Sequence, residues 1–271
     1  MLILFVIWEG FMGDNAMIPG ILLVRRTVTF SVLFSFCHFG SLGIMSYYLP
    51  EWFQAVQGAS PLESGTRVLA AVLTQILGTV TAGGLSLKIH YYNPWLFVGP
   101  IFMCTAAVLY SQFSTFNTPS SHWIGFQVIQ RLGVGMAQQM PSLTIQLAVK
   151  NQLDLLPVGV SLNIFAQYLG STLTQVLGGV VFRAVLDQEL SQRAHLNVSQ
   201  IALLSRSGTA NIHKVVSQSF PTLLAPILES YNKAVTSTFF ISAAAAAMGF
   251  FLAFGVGWKE IDSGNAQPAG Q

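Results

Sequence analysis

Charge is scarce in this chain. Lys, Arg, Asp and Glu make up 8% of its 271 residues, against about 25% in soluble domains. Twelve basic and ten acidic side chains cannot cover a water-facing globule of this length, so most of the surface must meet lipid. The net charge of +2, with no basic stripe interleaved with aromatics, excludes a nucleic-acid partner. Cysteine is nearly absent. Cys37 and Cys104 each sit inside an apolar run, so they form neither a disulfide framework nor a metal site. They read as small apolar packing groups. The histidines, His38, His90, His122, His195 and His213, are scattered. There is no glycine-rich phosphate loop, no nucleophile elbow and no His pair on one helix face. The chain therefore does not read as an enzyme, and nothing in it calls for a metal or a cofactor. The apolar N-terminus lacks the basic n-region and small-residue cleavage site of a secretory signal.

What the sequence does have is hydrophobic runs. A membrane-spanning helix needs about 20 mostly apolar residues. Six stretches qualify: residues 28–49, 67–87, 94–113, 123–149, 158–182 and 235–256. Backbone polar groups in lipid must pair within their own segment, so these spans are expected to be helices. The fold class is an all-α integral membrane protein, a bundle of six transmembrane helices. Residues 1–8 form a seventh apolar piece too short to span, followed by a Gly/Pro-rich stretch; residues 1–27 read as the end of a helix plus a loop. The bundle occupies 28–257, with a long polar connection at 183–233, and 258–271 read as a disordered tail.

The span ends carry their own chemistry. Ser60-Pro61-Leu62-Glu63 has a capping Ser, Pro at the first helical position and Glu three residues after the cap. Glu63 and Arg67, four apart, can pair at the membrane edge. Trp52, Trp95, Trp123 and Trp258 lie near span ends, where indole rings favour the interface. Arg25, Arg26, Lys88, Lys150 and Lys259 fall on one side, while loops 55–60 and 114–122 hold no Lys or Arg. The positive-inside rule places that basic side and both termini in the cytoplasm. The connection at 183–233 is then outside. It holds Asn197-Val198-Ser199, a glycosylation acceptor. Residues 220–231 are expected to form a short helix on the membrane surface.

Polar groups at membrane depth are the candidate functional residues. In the fifth span Asn163, Gln167, Ser171 and Thr174 recur at helical spacing on one face. That stripe either lines a wet cavity or makes interhelical hydrogen bonds with small-residue packing. The fourth span holds Gln127, Arg131 and Gln138 on one face. Arg131 is about nine residues into its span, or roughly 13 Å deep. An arginine there costs about 2.5–3.5 kcal/mol to insert. It either faces a central pathway and meets a substrate group, or is a structural tie to backbone carbonyls or to a glutamine. His38, in the register of Ser31 and Ser35, is either a proton relay or a structural group. Met140-Pro141, with Gly133 and Gly135, is expected to bend the fourth span.

Blocks along the chain resemble a known family. Tyr47-Tyr48-Leu49-Pro50, Phe53-Gln54-Ala55-Val56, Gly58-Ala59-Ser60-Pro61 and Ser64-Gly65 are similar to a helix-loop-helix of fungal major facilitator superfamily efflux pumps. Ala82-Gly83-Gly84 with Lys88 and Tyr91-Tyr92-Asn93-Pro94 resembles the next cytoplasmic turn. Gly125-Phe126-Gln127-Val128, Gly133-Val134-Gly135 and Gln138-Gln139-Met140-Pro141 resemble the family's glycine- and glutamine-rich helix. The match is to the fourteen-span drug:proton antiporter branch, over about residues 4–258. The resemblance implies two six-span bundles, each of inverted three-helix repeats, with substrate bound between them. It makes residues 28–256 the C-terminal bundle and residues 1–8 the end of a linker pair. Arg131 stands where similar members commonly carry a small or apolar residue.

The expected function is therefore that of an efflux transporter, or its C-terminal half. It would export small hydrophobic compounds such as secondary metabolites, toxins or drugs, coupled to protons in the full-length form. The expected partners are the lipid bilayer and an N-terminal six-span bundle or another chain, and the expected location is the plasma membrane. The alternative is a non-transporting membrane protein acting as scaffold or regulator, or a degenerate remnant.

Overall fold

A computed structural model describes residues 20–116 and 118–258, and all regular structure among the described residues is helical. The apolar piece at 1–8 and all but the first residue of the tail lie outside the described residues. A short helix α1 (Gly20–Val24) leads into α2 (Arg26–Ala55), α3 (Pro61–Ile89) and α4 (Asn93–Tyr110). Then follow α5 (Ser120–Ala137), α6 (Met140–Ala148) and the long α7 (Leu156–Arg193). Two short helices, α8 (Val198–Ser207) and α9 (Ile212–Ser219), precede α10 (Leu224–Ala253).

Local chemistry sets the ends. The Ser60 hydroxyl accepts from the Glu63 N–H and the Glu63 carboxylate accepts from the Ser60 N–H, which fixes the start of α3. Arg67, one turn further on, donates to the Gln57 side chain at 2.5 Å and lies over the Phe53 and Trp123 rings. Its cation is thus held by an amide and two π faces at the membrane edge. At the end of α3, His90 adopts a left-handed conformation (φ 61°) and turns the chain into α4.

Among the described residues, five helices are long and apolar enough to cross a membrane: α2, α3, α4, α7 and α10, the last two with their leading turns. The fourth expected span is divided. α5 stops at Ala137 and α6 begins at Met140, so the break falls at Gln138–Gln139, just before Pro141. Proline there lacks the N–H that would continue the ladder. Gly133 and Gly135 play a different part from the expected bend. A Cβ on Gly133 would lie 2.7 Å from the Gly99 carbonyl oxygen, and one on Gly135 would lie 2.3 Å from that of Gln75. These glycines let α5 touch the backbones of α4 and α3.

The packing is pseudo-symmetric. α2 packs against α7 and α10, and α5 packs in the same way against α3 and α4. Exchanging the first span with the fourth, the second with the fifth and the third with the sixth reproduces these pairs; α4 and α10, which pack on each other, swap places. This is the pattern that two three-helix repeats produce. One contact breaks it: α7 packs on α10, with no comparable counterpart between α3 and α4. α2 and α7 cross closely. A Cβ on Gly170 would lie 2.1 Å from the Phe36 carbonyl oxygen. Thr174 donates to the Gly40 carbonyl beside it, at 2.9 Å. Ser41 and Ser242 join α2 to α10 at 2.7 Å.

The two ends are tied differently. At one end Arg25 donates to the Ala148 carbonyl at 2.6 Å and to the Gln152 side chain, satisfying the C-terminus of α6. Arg26 donates to the Gly255 carbonyl, and Tyr92 and Asn93 donate to the Gly257 and Val256 carbonyls. At the other end Trp52 donates to Asn232, which donates to the Phe113 carbonyl. That end is covered by α8 and α9, whose Leu204, Ile212 and Val216 are buried in the main apolar cluster.

The long polar connection departs from expectation. α7 does not stop near residue 182 but runs 38 residues, roughly 57 Å, far beyond a hydrocarbon core of about 30 Å. Leu186 and Leu190 are buried against the cap and keep the extra turns folded. α10 likewise begins at Leu224 rather than 235. Residues 220–231 are therefore a 3-10 turn and the start of α10, not a surface helix; α9 is the short amphipathic element.

Candidate functional site

Among the described residues, four grooves between the helices stand out. Nearest the Arg25–Arg26 end, Gly83 and Ser86 of α3 face Ser142 and Gln146 of α6. Next, Gln75 and Thr79 of α3 face Gln138. A third groove runs between Gly43 and Ser46 of α2 and Ser171 and Gln175 of α7. The fourth, ≈ 380 Å³, lies at the capped end, and Tyr47 lines both it and the third.

Hydrogen bonds stitch these grooves together. Gln75 Nε2 donates to Gln138 Oε1 at 2.7 Å. Arg131 donates through one terminal nitrogen to Gln75 Oε1 at 3.0 Å and through the other to Ser46 Oγ at 3.3 Å. The chain Gln138–Gln75–Arg131–Ser46 thus bridges α5, α3 and α2. Among the described residues the Arg131 charge reaches neither a carboxylate nor a backbone carbonyl. Two neutral oxygens hold it, and its Nε has no partner. Burial of an ion this weakly compensated is costly, so the arrangement favours a site where a polar group from outside the bundle adds to the solvation. Closer to the Arg25–Arg26 end, Asn163 Nδ2 donates to Ser142 Oγ at 2.9 Å and joins α7 to α6.

The expected site residues separate into groups. Gln138 and Ser171 line grooves, and Arg131 links two of them. Ser171 also accepts from Gln175 at 2.8 Å. Asn163 is fully buried at a helix contact, with its Oδ1 unpartnered. Gln167 is half-buried and lines none of the four grooves. Gln127 is buried with neither amide atom partnered, also away from the grooves. The polar stripe of α7 is therefore split: Thr174 and Gly170 pack on α2, while Ser171 and Gln175 face a groove. His38 is buried, stacks on Phe34 with ring centroids 5.7 Å apart, and has no partner for either ring nitrogen. Asn197 is exposed at the start of α8, where the Gln200 side chain accepts from its N–H.

Gln75 and Ser46 were not singled out from sequence, yet they complete the network; the Thr79 hydroxyl beside them meets the Gln75 and Gly135 carbonyls. Gln75 and Thr79 are four apart in the second span, the same helical-face signal that marks Arg131.

No protein-family model matches the chain. It is 35% identical over 260 residues to the MFS-type transporter poxA of Penicillium oxalicum, covering 96% of this chain and 46% of that protein. It is 35% identical over 265 residues to the efflux pump mlcE of Penicillium citrinum, covering 97% and 46%. It is 33% identical over 261 residues to the rubrofusarin-specific efflux pump aurT of Gibberella zeae, covering 96% and 46%. The chain spans about half the length of the curated relatives it matches.

Proposed function

We propose that this chain, which belongs to the MFS-type transporter family, supplies one wall of an export path for small hydrophobic compounds. The observation that carries the reading is the Gln138–Gln75–Arg131–Ser46 network, a polar, weakly compensated cation at membrane depth between grooves. Around it, Val72, Ile76 and Val80 of α3 and Val176, Leu177 and Val180 of α7 are exposed and apolar. An apolar surface with a few convergent polar groups suits hydrophobic ligands that carry a hydrogen-bonding oxygen. The second wall is a further six-span bundle, in the same protein or another chain, as in the C-terminal half of an MFS-type exporter. Arg131 and Gln75 meet the substrate's polar group; Gln138 and Ser171 flank it. Asn163, Gln167 and Gln127 support the path from behind.

Protons drive the export in this reading, and His38 is the candidate for handling them. Neither ring nitrogen has a partner, so one is free to accept a proton and the other to donate its N–H to a water when the helices shift. The plasma membrane is the proposed location, with the Arg25–Arg26 end inside.

The test is reconstitution in liposomes with an imposed pH gradient and a fluorescent hydrophobic dye. The chain alone is expected not to accumulate dye, and the chain combined with the N-terminal bundle of a related transporter is expected to do so. Arg131→Ala in the combined form should reduce the initial rate at least about tenfold, the effect of losing roughly 1.4 kcal/mol of interaction. Dye transport by the chain alone removes the need for a second wall. A full rate in Arg131→Ala removes the network from the path.

A further inference from the structure

Arg131 is a cation in neutral surroundings. Its Nη1 donates to Gln75 Oε1 at 3.0 Å, and Gln138 holds Gln75 in that orientation by accepting from its Nε2. Its Nη2 donates to Ser46 Oγ at 3.3 Å. A guanidinium carries five N–H donors, so three remain without an acceptor among the described residues, the Nε donor included. The ion pairs there join Arg193 to Glu189 and Glu229 and leave Arg131 out. The ionisable group that acts on it is the Tyr110 phenol, which is neutral at physiological pH. One turn back on α5, Gln127 is buried with its amide unpartnered, and Gln130 is buried with its Nε2 unpartnered. These amides add donors to the neighbourhood, not counter-charge.

The guanidinium is reachable from one side. Its Nε is sealed inside, whereas the Nη2–Ser46 bond is exposed and is the longer of the two. Ser46 lines the groove between α2 and α7, and its hydroxyl can donate as well as accept. Gln175 lines the same groove with one Nε2 hydrogen on Ser171 and a second to offer. Gly43 makes the room: a Cβ there would lie 2.5 Å from Ser171 Oγ and 3.0 Å from Gln175 Nε2. Phe39 and Leu42 supply an apolar wall. Tyr47 supplies the rest, with its hydroxyl on Glu51, which lines the capped cavity and not this groove. One positive charge, neutral donors and apolar side chains thus meet in one place. A neutral oxygen there would leave the charge uncompensated. A carboxylate brings the counter-charge and two acceptor oxygens, and hydrogen bonds between charged groups are about twice as strong as neutral ones. An organic cation is repelled by Arg131, and a small inorganic anion gives Phe39 and Leu42 nothing to bury.

We propose that the ligand of this chain is a hydrophobic monocarboxylate, its ionised carboxylate held by Arg131 Nη2 and Ser46 Oγ and its apolar body lying in the α2–α7 groove. The inference deepens the export reading and rests on it for what becomes of the ligand; binding itself needs neither a gradient nor a second bundle.

The test uses the 271-residue chain in phosphatidylcholine nanodiscs near neutral pH, with empty nanodiscs as the blank. The probes are 2-naphthoate, its uncharged isostere 2-naphthamide and its cationic isostere 2-naphthamidine, one shape at three charges. Binding is read by calorimetry and by saturation-transfer NMR. Naphthoate is expected to bind saturably and at least about tenfold more tightly than naphthamide, and naphthamidine no more than to the blank. Arg131→Met should bring naphthoate and naphthamide within about twofold of each other. Ser46→Ala should weaken naphthoate about two- to fivefold. Arg183→Gln, at the capped cavity, should leave the preference unchanged. Naphthoate binding no greater than the blank, naphthamide or naphthamidine binding as tightly as naphthoate, or a preference kept in a folded Arg131→Met overturns the proposal. So does full affinity in Ser46→Ala, or about a tenfold loss in Arg183→Gln, which would put the anion in the capped cavity. If Arg131→Met aggregates, the three isosteres on the wild type and Arg183→Gln still decide the outcome. The export reading fails separately. A naphthoate preference without dye transport in the combined form leaves the site standing and removes the path; Arg131-dependent dye transport without a naphthoate preference does the reverse.

Discussion

The α2–α7 crossing can be tested by adding one methyl group. In Gly170→Ala the new Cβ would stand 2.1 Å from the Phe36 carbonyl oxygen and 2.8 Å from the Phe36 carbonyl carbon and Cα. All three are backbone atoms, so no rotamer change relieves the clash. Real Cβ contacts essentially never fall below 3.0 Å, so the two helices must part by about 0.9 Å at the oxygen. A radial gap of that size forfeits a quarter to a half of each dispersion contact along the crossing. It also stretches the Thr174–Gly40 hydrogen bond, now 2.9 Å, a bond worth about 0.6 kcal/mol inside membranes. Overpacking of this type costs typically about 1–3 kcal/mol. The matched control is Gly84→Ala in α3, where nothing lies within 4 Å of the added Cβ. There only helix propensity changes, a gain of up to about 1 kcal/mol. Thermal unfolding in detergent, followed by fluorescence-detected size exclusion, should place Gly170→Ala below wild type and Gly84→Ala at or above it. Equal midpoints for Gly170→Ala and wild type would refute the close crossing.

Three further outcomes follow from single contacts. Ser60→Ala removes the reciprocal cap at the start of α3 and should destabilise the chain by about 1 kcal/mol, seen as a lower midpoint in the same assay; Ser60→Asp should restore it. Gln75→Leu removes both the Gln138 and Arg131 partners and strands the guanidinium on Ser46. It should be more damaging than the double variant Gln75→Leu/Arg131→Met, because a buried charge without partners costs more than no charge; additive losses would count against the network. Asn197→Gln should abolish an endoglycosidase-sensitive gel shift of the chain expressed in a eukaryotic cell. A shift that persists, or one never present in wild type, removes Asn197 as a modification site.

The helical cores of the spans could be read from apolar runs, because lipid leaves the backbone few alternatives. The start of α3 was equally legible, since Ser60, Pro61 and Glu63 encode a local motif. The extra turns of α7 were not. Arg183, Asp187, Glu189 and Arg193 give that stretch a polar composition, yet Leu186 and Leu190, four apart, bury one face against the cap. That packing depends on α8 and α9, which hydropathy does not bring into view. The break before Pro141 is encoded locally, but Gly133 and Gly135 lie inside α5 and serve packing instead. Gly133 and Gly135 serve neighbours more than thirty and fifty residues away in sequence, Gly99 and Gln75, and only their spatial proximity reveals that role. Arg131 stood out as an expensive residue; its partners did not, because Gln75 and Ser46 are isolated polar residues until the helices come together.

The divided fourth span has a mechanical consequence. α5 belongs with α3 and α4, whereas α6 lies against α2 and α7. One crossing of the membrane is thus begun by one group of helices and finished by the other. A continuous rod would force both groups to tilt as one; a joint at Gln138–Gln139 lets each keep its own axis. The Gln138 side chain sits at that joint with its oxygen on Gln75. Any rotation at the joint is therefore passed directly to the hydrogen bonds around Arg131, so the helix that carries the charge also carries the elbow that would reposition it.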